Sequence, residues 1–160
     1  TLYSKSFGAL GNALGKAIGA YYATKKPVVA FVGDQGVQIN IQELQYISQH
    51  QLPIAIVLLN NSSSGMIKDR EAIAGYGYSL HTTEESGYGT PKFSIVAEAY
   101  RMVYLRIDEY HSFPIIDKPL FLELSISENQ TLTPSLPGGR DIQDLEPRIN
   151  KELYNRLNKL

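Results

Sequence analysis

The stretch Val28–Ile67, VVAFVGDQGVQINIQELQYISQHQLPIAIVLLNNSSSGMI, decides the fold. Val28 to Val32 is a continuous apolar run behind Pro27, the pattern of a strand buried on both faces. Gly33-Asp34-Gln35-Gly36 follows as a turn. Asn40 is then placed to cap a helix carrying Ile41, Leu44 and Ile47 on one face. Pro53 ends the linker, and Ile54 to Leu59 repeats the buried-strand pattern. Asn60 to Gly65 is a polar loop, and Met66 to Ile73 reads as a short helix. Buried strands alternating with helices predict an α/β fold: a three-layer, doubly wound parallel sheet with helices on both faces.

Upstream, GALGNALGKAIGAYYAT over 8–24 places Leu10, Leu14, Ala17 and Ile18 at helical spacing. Its glycines each cost about 1 kcal/mol relative to alanine in a helix, so close packing or backbone approach to a ligand is expected there. Downstream, 74–90 is a loop rich in glycine and tyrosine. Phe93 to Tyr100 reads as a helix, and Met102–Ile107 and Leu120–Ile126 as strands. An extended loop covers 128–140. From Asp144 onward, Leu145, Ile149, Leu153 and Leu157 stand four apart, as in an amphipathic helix. The expected organisation is one domain over 1–127 and a C-terminal tail over 128–160.

Composition narrows the function. Fifteen basic and 16 acidic residues nearly cancel, to a formal charge of -1. This argues against nucleic acid and against a polybasic membrane binder. There is no cysteine, which removes disulfide scaffolds, thiolate zinc sites and cysteine nucleophiles. No apolar run approaches the roughly 20 residues that span a bilayer. The start at Thr1 shows no signal-peptide pattern. A cytoplasmic chain, cut from something longer, is expected. His50, His81 and His111 share no metal-ligand spacing, and Asp69-Arg70-Glu71 reads as a solvated helix face.

Parallel sheets bind ligands at the carboxyl ends of their strands. Two polar loops fall there, Gly33–Gly36 and Asn60-Asn61. One offers a carboxylate and the other two carboxamides, hard oxygen ligands suited to magnesium or calcium. Glycines let backbone N–H groups approach phosphate oxygens. A metal-bound diphosphate fits this pair. The plainer alternative is that Asp34 and Asn40 are turn and cap residues and that Asn60 and Asn61 only close a turn.

Asp34 and Asn61 stand 27 positions apart, each ending a buried strand. This resembles the thiamine-diphosphate signature, GDG followed after roughly 25 to 30 residues by NN. The whole of 28–67 is similar to the cofactor-binding C-terminal domain of the acetolactate synthase family. FGALGNALGKAIGA resembles that family's glycine-rich helix, and HTTEESGYGTPKFSIVAEAY its later segment. The similarity runs over roughly 4–127. It implies the thiamine-diphosphate-binding fold, with Mg2+ held by Asp34, the Asn61 side chain and the Ser63 carbonyl. It also implies diphosphate contacts from Gly33, Gln35 and Gly36, and further cofactor contacts from Gly65 and Met66. Leu10 would wedge thiamine into its bent shape, and the Gly8 carbonyl would accept from the pyrimidine amino group. Met66, Ile67 and Arg70 would face a 2-oxo acid substrate.

Departures accompany the resemblance. Gln35 stands where glycine or alanine is common, and Arg70 where tryptophan is usual. The segment from Tyr100 to Pro119 is shorter than in the family. The glutamate that activates the pyrimidine ring belongs to a separate pyrimidine-binding domain, so the resemblance implies a homodimer or homotetramer of a longer parent, with this fragment alone inactive. The expected parent activity is a decarboxylase/carboligase transferase. Two alternatives stand beside it: a thiamine-diphosphate enzyme of sugar or surface-polysaccharide precursor synthesis, and an inactive assembly or regulatory domain retaining the fold.

Overall fold

The computed structural model describes residues 9–107, 112–130 and 146–157. Gly8, His111, Leu145 and most of the loop expected over 128–140 lie outside them. The chain divides into two compact units, Thr1–Glu128 and Asn129–Leu160. In chain order the elements are α1 (Ala13–Thr24), β1 (Val28–Gly33), α2 (Asp34–Ile39), α3 (Glu43–Gln49), β2 (Ile54–Asn60), α4 (Gly65–Ala74), α5 (Phe93–Ala99), β3 (Val103–Arg106), β4 (Leu120–Ser125) and α6 (Lys151–Leu157).

The four strands form one sheet in the order β1-β2-β4-β3. All three pairings are parallel, with Val28 opposite Ile54, Ala55 opposite Leu120 and Val103 opposite Leu120. The α/β class read from the alternating pattern is present. β2 is central, and Ile54 through Leu58 are all buried, as its unbroken apolar run requires.

β1 departs from the expectation of burial on both faces. It is an edge strand, and only Ala30 and Val32 are buried, while Val29 and Phe31 are 40% and 65% exposed. An apolar run reports what side chains could bury, and the edge position leaves alternate ones open. The buried side chains of α1, α2, α3 and α5 (Leu14, Val37, Leu44, Ile47, Phe93) join Ala30, Ile56, Leu58 and Phe121 in the main cluster. Phe93 stacks on Phe121 at 6.1 Å between ring centroids. The opposite face gathers Ala55, Val57, Leu120 and Leu122, backed by Leu105, Ile107 and Ile116.

Two helix starts differ from the reading. The residues expected as a turn, Asp34 to Gly36, already lie in α2, which starts directly after Gly33, the last residue of β1. Asn40 does not cap α3. It ends α2, and its side-chain Nδ2 donates to the Gly11 carbonyl at 2.8 Å. The expected glycine-rich helix begins only at Ala13, after a turn holding Leu10. It packs through Leu14 and Ala17, while a methyl at Gly15 or Gly19 would meet nothing. Among the described glycines of this stretch, close packing is real only at Gly11, where φ is +82° and a Cβ would sit 2.6 Å from Ile39 Cγ2. In the second unit α6 is shorter than expected: Ile149 precedes it, and Leu153 and Leu157 are exposed.

Candidate functional site

Strand β1 ends at Gly33 and delivers Asp34 directly onto the first turn of α2. The carboxylate is buried, at 3% exposure. Its Oδ1 accepts the Gln35 N–H at 2.8 Å. Its Oδ2 is buried with no partner among the described residues. Burial raises the Asp34 pKa above the ordinary aspartate value, against the opposing pull of the Gln35 N–H, the Tyr88 hydroxyl and the N–H groups of Ser62 and Ser63. Those last groups place the loop after β2 beside the carboxylate.

The parallel register of β1 and β2 brings their two loops to the same end of the sheet. Asn60 closes β2, and its side chain donates to Glu123 on β4 at 2.6 Å, where Tyr104 also donates at 2.7 Å. Asn60 is thereby committed to the sheet. Asn61 turns the other way. Its Oδ1 accepts the Ser63 N–H at 3.3 Å. A Cβ at Gly65 would lie 2.7 Å from Asn61 Nδ2, so the glycine makes room for this amide.

Gln35 and Ser64 join the two loops through Ser64 Oγ donating to Gln35 Oε1 at 3.0 Å. The residue that departs from the family pattern therefore ties the halves of the site together. Gly36 is buried, and a methyl there would press on Val32 at 3.2 Å. Leu10 is 51% exposed, in a turn held at the far end of α2 by Gly11 and Asn40. Met66, Ile67 and Arg70 are exposed along α4.

Three site residues escaped the sequence reading. Glu71, read as part of a solvated charge run, is buried. It accepts from the Leu80 N–H at 3.2 Å and from Thr82 Oγ1 at 2.8 Å. Thr82 in turn accepts the Ser64 N–H through its carbonyl at 2.9 Å. These bonds fold the loop after α4 back over the start of that helix. The loop delivers Tyr88, whose hydroxyl is buried without a partner among the described residues. Tyr88 and Asp34 lie close enough for each to shift the other, the hydroxyl pulling the Asp34 pKa down and the carboxylate pushing the Tyr88 pKa up. The Tyr88 pKa is raised by burial first, then by the Asp34 charge. The helix period around Glu71 and the tyrosine-rich composition of 74–90 were the only hints in the sequence.

Ser63 Oγ is the third buried atom without a partner. Asp34 Oδ2, Ser63 Oγ and Tyr88 Oη are the atoms of this kind among the described residues, and the Ser63 N–H and the Tyr88 hydroxyl both act on Asp34. Each such atom costs about 1–3 kcal/mol in a folded chain. A carboxylate oxygen without a donor suits a hard cation, and hydroxyls without an acceptor suit an anion. The donor set therefore fits a cation together with an oxyanion.

A family model described as "Thiamine pyrophosphate enzyme, C-terminal TPP binding domain" matches residues 1–116. The chain belongs to this family of thiamine pyrophosphate enzymes. It is 33% identical over 148 residues to the acetolactate synthase large subunit of Pyropia yezoensis, covering 87% of this chain and 25% of that protein. With the acetolactate synthase large subunit of Lactococcus lactis it shares 32% over 143 residues, 85% of this chain and 24% of that one. The chain thus spans about a quarter of the length of these relatives. A solved structure, the Rhodococcus jostii RHA1 thiamine diphosphate-dependent 4-hydroxybenzoylformate decarboxylase, superposes with a TM-score of 0.62 at 22% identity. That match covers 75% of this chain and 24% of that one, and it establishes the fold.

Proposed function

We propose that this chain is the cofactor-binding domain of an acetolactate synthase-like thiamine-diphosphate enzyme that decarboxylates a 2-oxo acid and joins the fragment to a second carbonyl compound. The observation that carries this reading is the buried, unpartnered Asp34 Oδ2 beside the Asn61 loop. Mg2+ would be held by Asp34, the Asn61 side-chain oxygen and the Ser63 carbonyl. Gly33, Gln35 and Gly36 would bind the diphosphate through backbone groups, and Gly65 and Met66, at the start of α4, would make further cofactor contacts. Thiamine diphosphate supplies the carbanion-stabilising chemistry when bound. Leu10 would support the thiamine ring system, and Met66, Ile67 and Arg70 would line the approach of the substrate.

The longer parent would be a cytoplasmic homodimer or homotetramer, with the activating glutamate contributed by a pyrimidine-binding domain. Among the described residues no helix is long and apolar enough to cross a membrane. Calorimetric titration of thiamine diphosphate with Mg2+ into this chain and into Asp34→Ala tests the site. Saturable, Mg2+-dependent binding that weakens at least tenfold in Asp34→Ala is expected. Equal binding by both proteins, or no binding by the chain and its longer parent, would overturn the assignment.

A further inference from the structure

We infer that the Tyr88 hydroxyl, supplied by the loop between α4 and α5, is a hydrogen-bond donor to the bound diphosphate. This rests on the Mg2+–diphosphate reading of the site. Tyr88 Oη is buried and has no partner among the described residues, and the charged group that acts on it is Asp34, whose Oδ2 is likewise without a partner. Contacts that do not use the hydroxyl fix the position of the loop. The Tyr88 N–H donates to the Thr83 carbonyl at 2.9 Å, and Thr82 is bonded to Glu71 and to the Ser64 N–H. The loop would stay folded without the hydroxyl, so a role in shaping the loop does not account for it.

Burying a phenol without an acceptor is costly, and the group keeps its value only if an acceptor arrives later. In a loaded site Asp34 would be engaged by the cation, which weakens it as an acceptor for Tyr88. An anionic oxygen brought in with the cation is the remaining chemical complement. Ser63 Oγ, buried and unpartnered on the adjacent loop, is a second donor of the same type. A cation-binding carboxylate flanked by two hydroxyl donors recognises a metal–oxyanion pair as a unit. In this way Tyr88 couples the 75–92 loop to cofactor occupancy.

The test uses the chain itself, its Tyr88→Phe variant and, as a second probe of the same donor pair, Ser63→Ala. Thiamine diphosphate is titrated calorimetrically at saturating Mg2+, and the unliganded proteins are melted in parallel. Tyr88→Phe should bind about tenfold more weakly or worse, the loss expected for one hydrogen bond to a charged group. Its unliganded Tm should be unchanged or higher, because an unpartnered buried hydroxyl has been removed. Ser63→Ala should weaken binding in the same sense while retaining its backbone carbonyl. Binding of Tyr88→Phe within twofold of the parent sequence overturns the inference. So does a weakened affinity that comes with a lowered unliganded Tm, which marks a structural role. Absence of binding by the unmodified chain moves the same comparison to the longer parent, and absence there as well removes the site itself and the Tyr88 assignment with it.

Discussion

Asp34 sets the stability of the fold against the proposed cation site. Its buried Oδ2 has no partner, and burial raises its pKa. The folded chain therefore holds this proton more tightly than the unfolded chain does. The stability that the group contributes is fully present below its unfolded value of 3.8 and is lost as pH rises through the raised folded value. At neutral pH the ionised carboxylate is a liability that the proposed cation would relieve. In chelator-treated buffer at pH 7, Asp34→Asn should melt about 2–4 °C higher, the shift expected when about 1 kcal/mol of uncompensated burial is relieved. Thermal melts as a function of pH should show that gap closing toward pH 4, and a gap that widens in acid would contradict the argument. The places of Asp34 and Asn61 after β1 and β2 were legible in the sequence because each follows an apolar strand, where local pattern is informative. Tyr88, Thr82 and Glu71 were not, because their roles depend on a loop that folds back onto a helix it follows. Read alone, Glu71 is one charge among three. Its burial becomes visible only once Leu80 and Thr82 have been brought to it.

At the level of elements, the strand-to-helix junctions do most of the positioning. The central strand was readable because all of Ile54–Leu58 is apolar and all of it is buried. The reading of β1 overreached, since hydrophobicity alone does not distinguish a central strand from an edge one. It also placed a turn at Gly33–Gly36, where α2 in fact begins without a linker. Gly33 has extended backbone at φ -78° and ψ 164°, so the chain passes straight from strand to helix and Asp34 is set in the first turn. The far end of α2 is locked to the turn before α1 by the Asn40–Gly11 hydrogen bond and by Ile39 lying against Gly11. Gly11 needs its positive φ, and a methyl there would drive into Ile39. Gly11→Ala should therefore destabilise the domain by about 2 kcal/mol, combining left-handed strain with overpacking. Urea denaturation should show a lower midpoint at unchanged slope. Gly15→Ala, where a methyl meets open space, should instead be neutral or stabilising because alanine is the better helix former.

For the whole molecule, the asymmetry of the sheet is the informative feature. Parallel sheets are normally covered on both faces, because their strands are apolar on both. Here the main cluster under α1, α2, α3 and α5 is sealed, while β1 presents Val29 and Phe31 on its outer side and an unpaired strand edge beside them. An exposed edge of this kind is a template for pairing with another chain, and natural edges are commonly blunted by charge. β1 has no charged residue between Val28 and Gly33. The chain corresponds to about a quarter of its relatives' length, so a surface open here is one that further residues of a parent protein could cover. Taken alone, the chain should self-associate through this edge as its concentration rises. Phe31→Lys should shift the sedimentation profile toward monomer and leave the unfolding free energy within about 0.5 kcal/mol, as expected for a surface position. Self-association that persists unchanged in Phe31→Lys would locate the contact elsewhere. A large loss of stability would mean that Phe31 is packed rather than exposed. The two readouts separate because the same side chain cannot both anchor the core and face a neighbouring molecule.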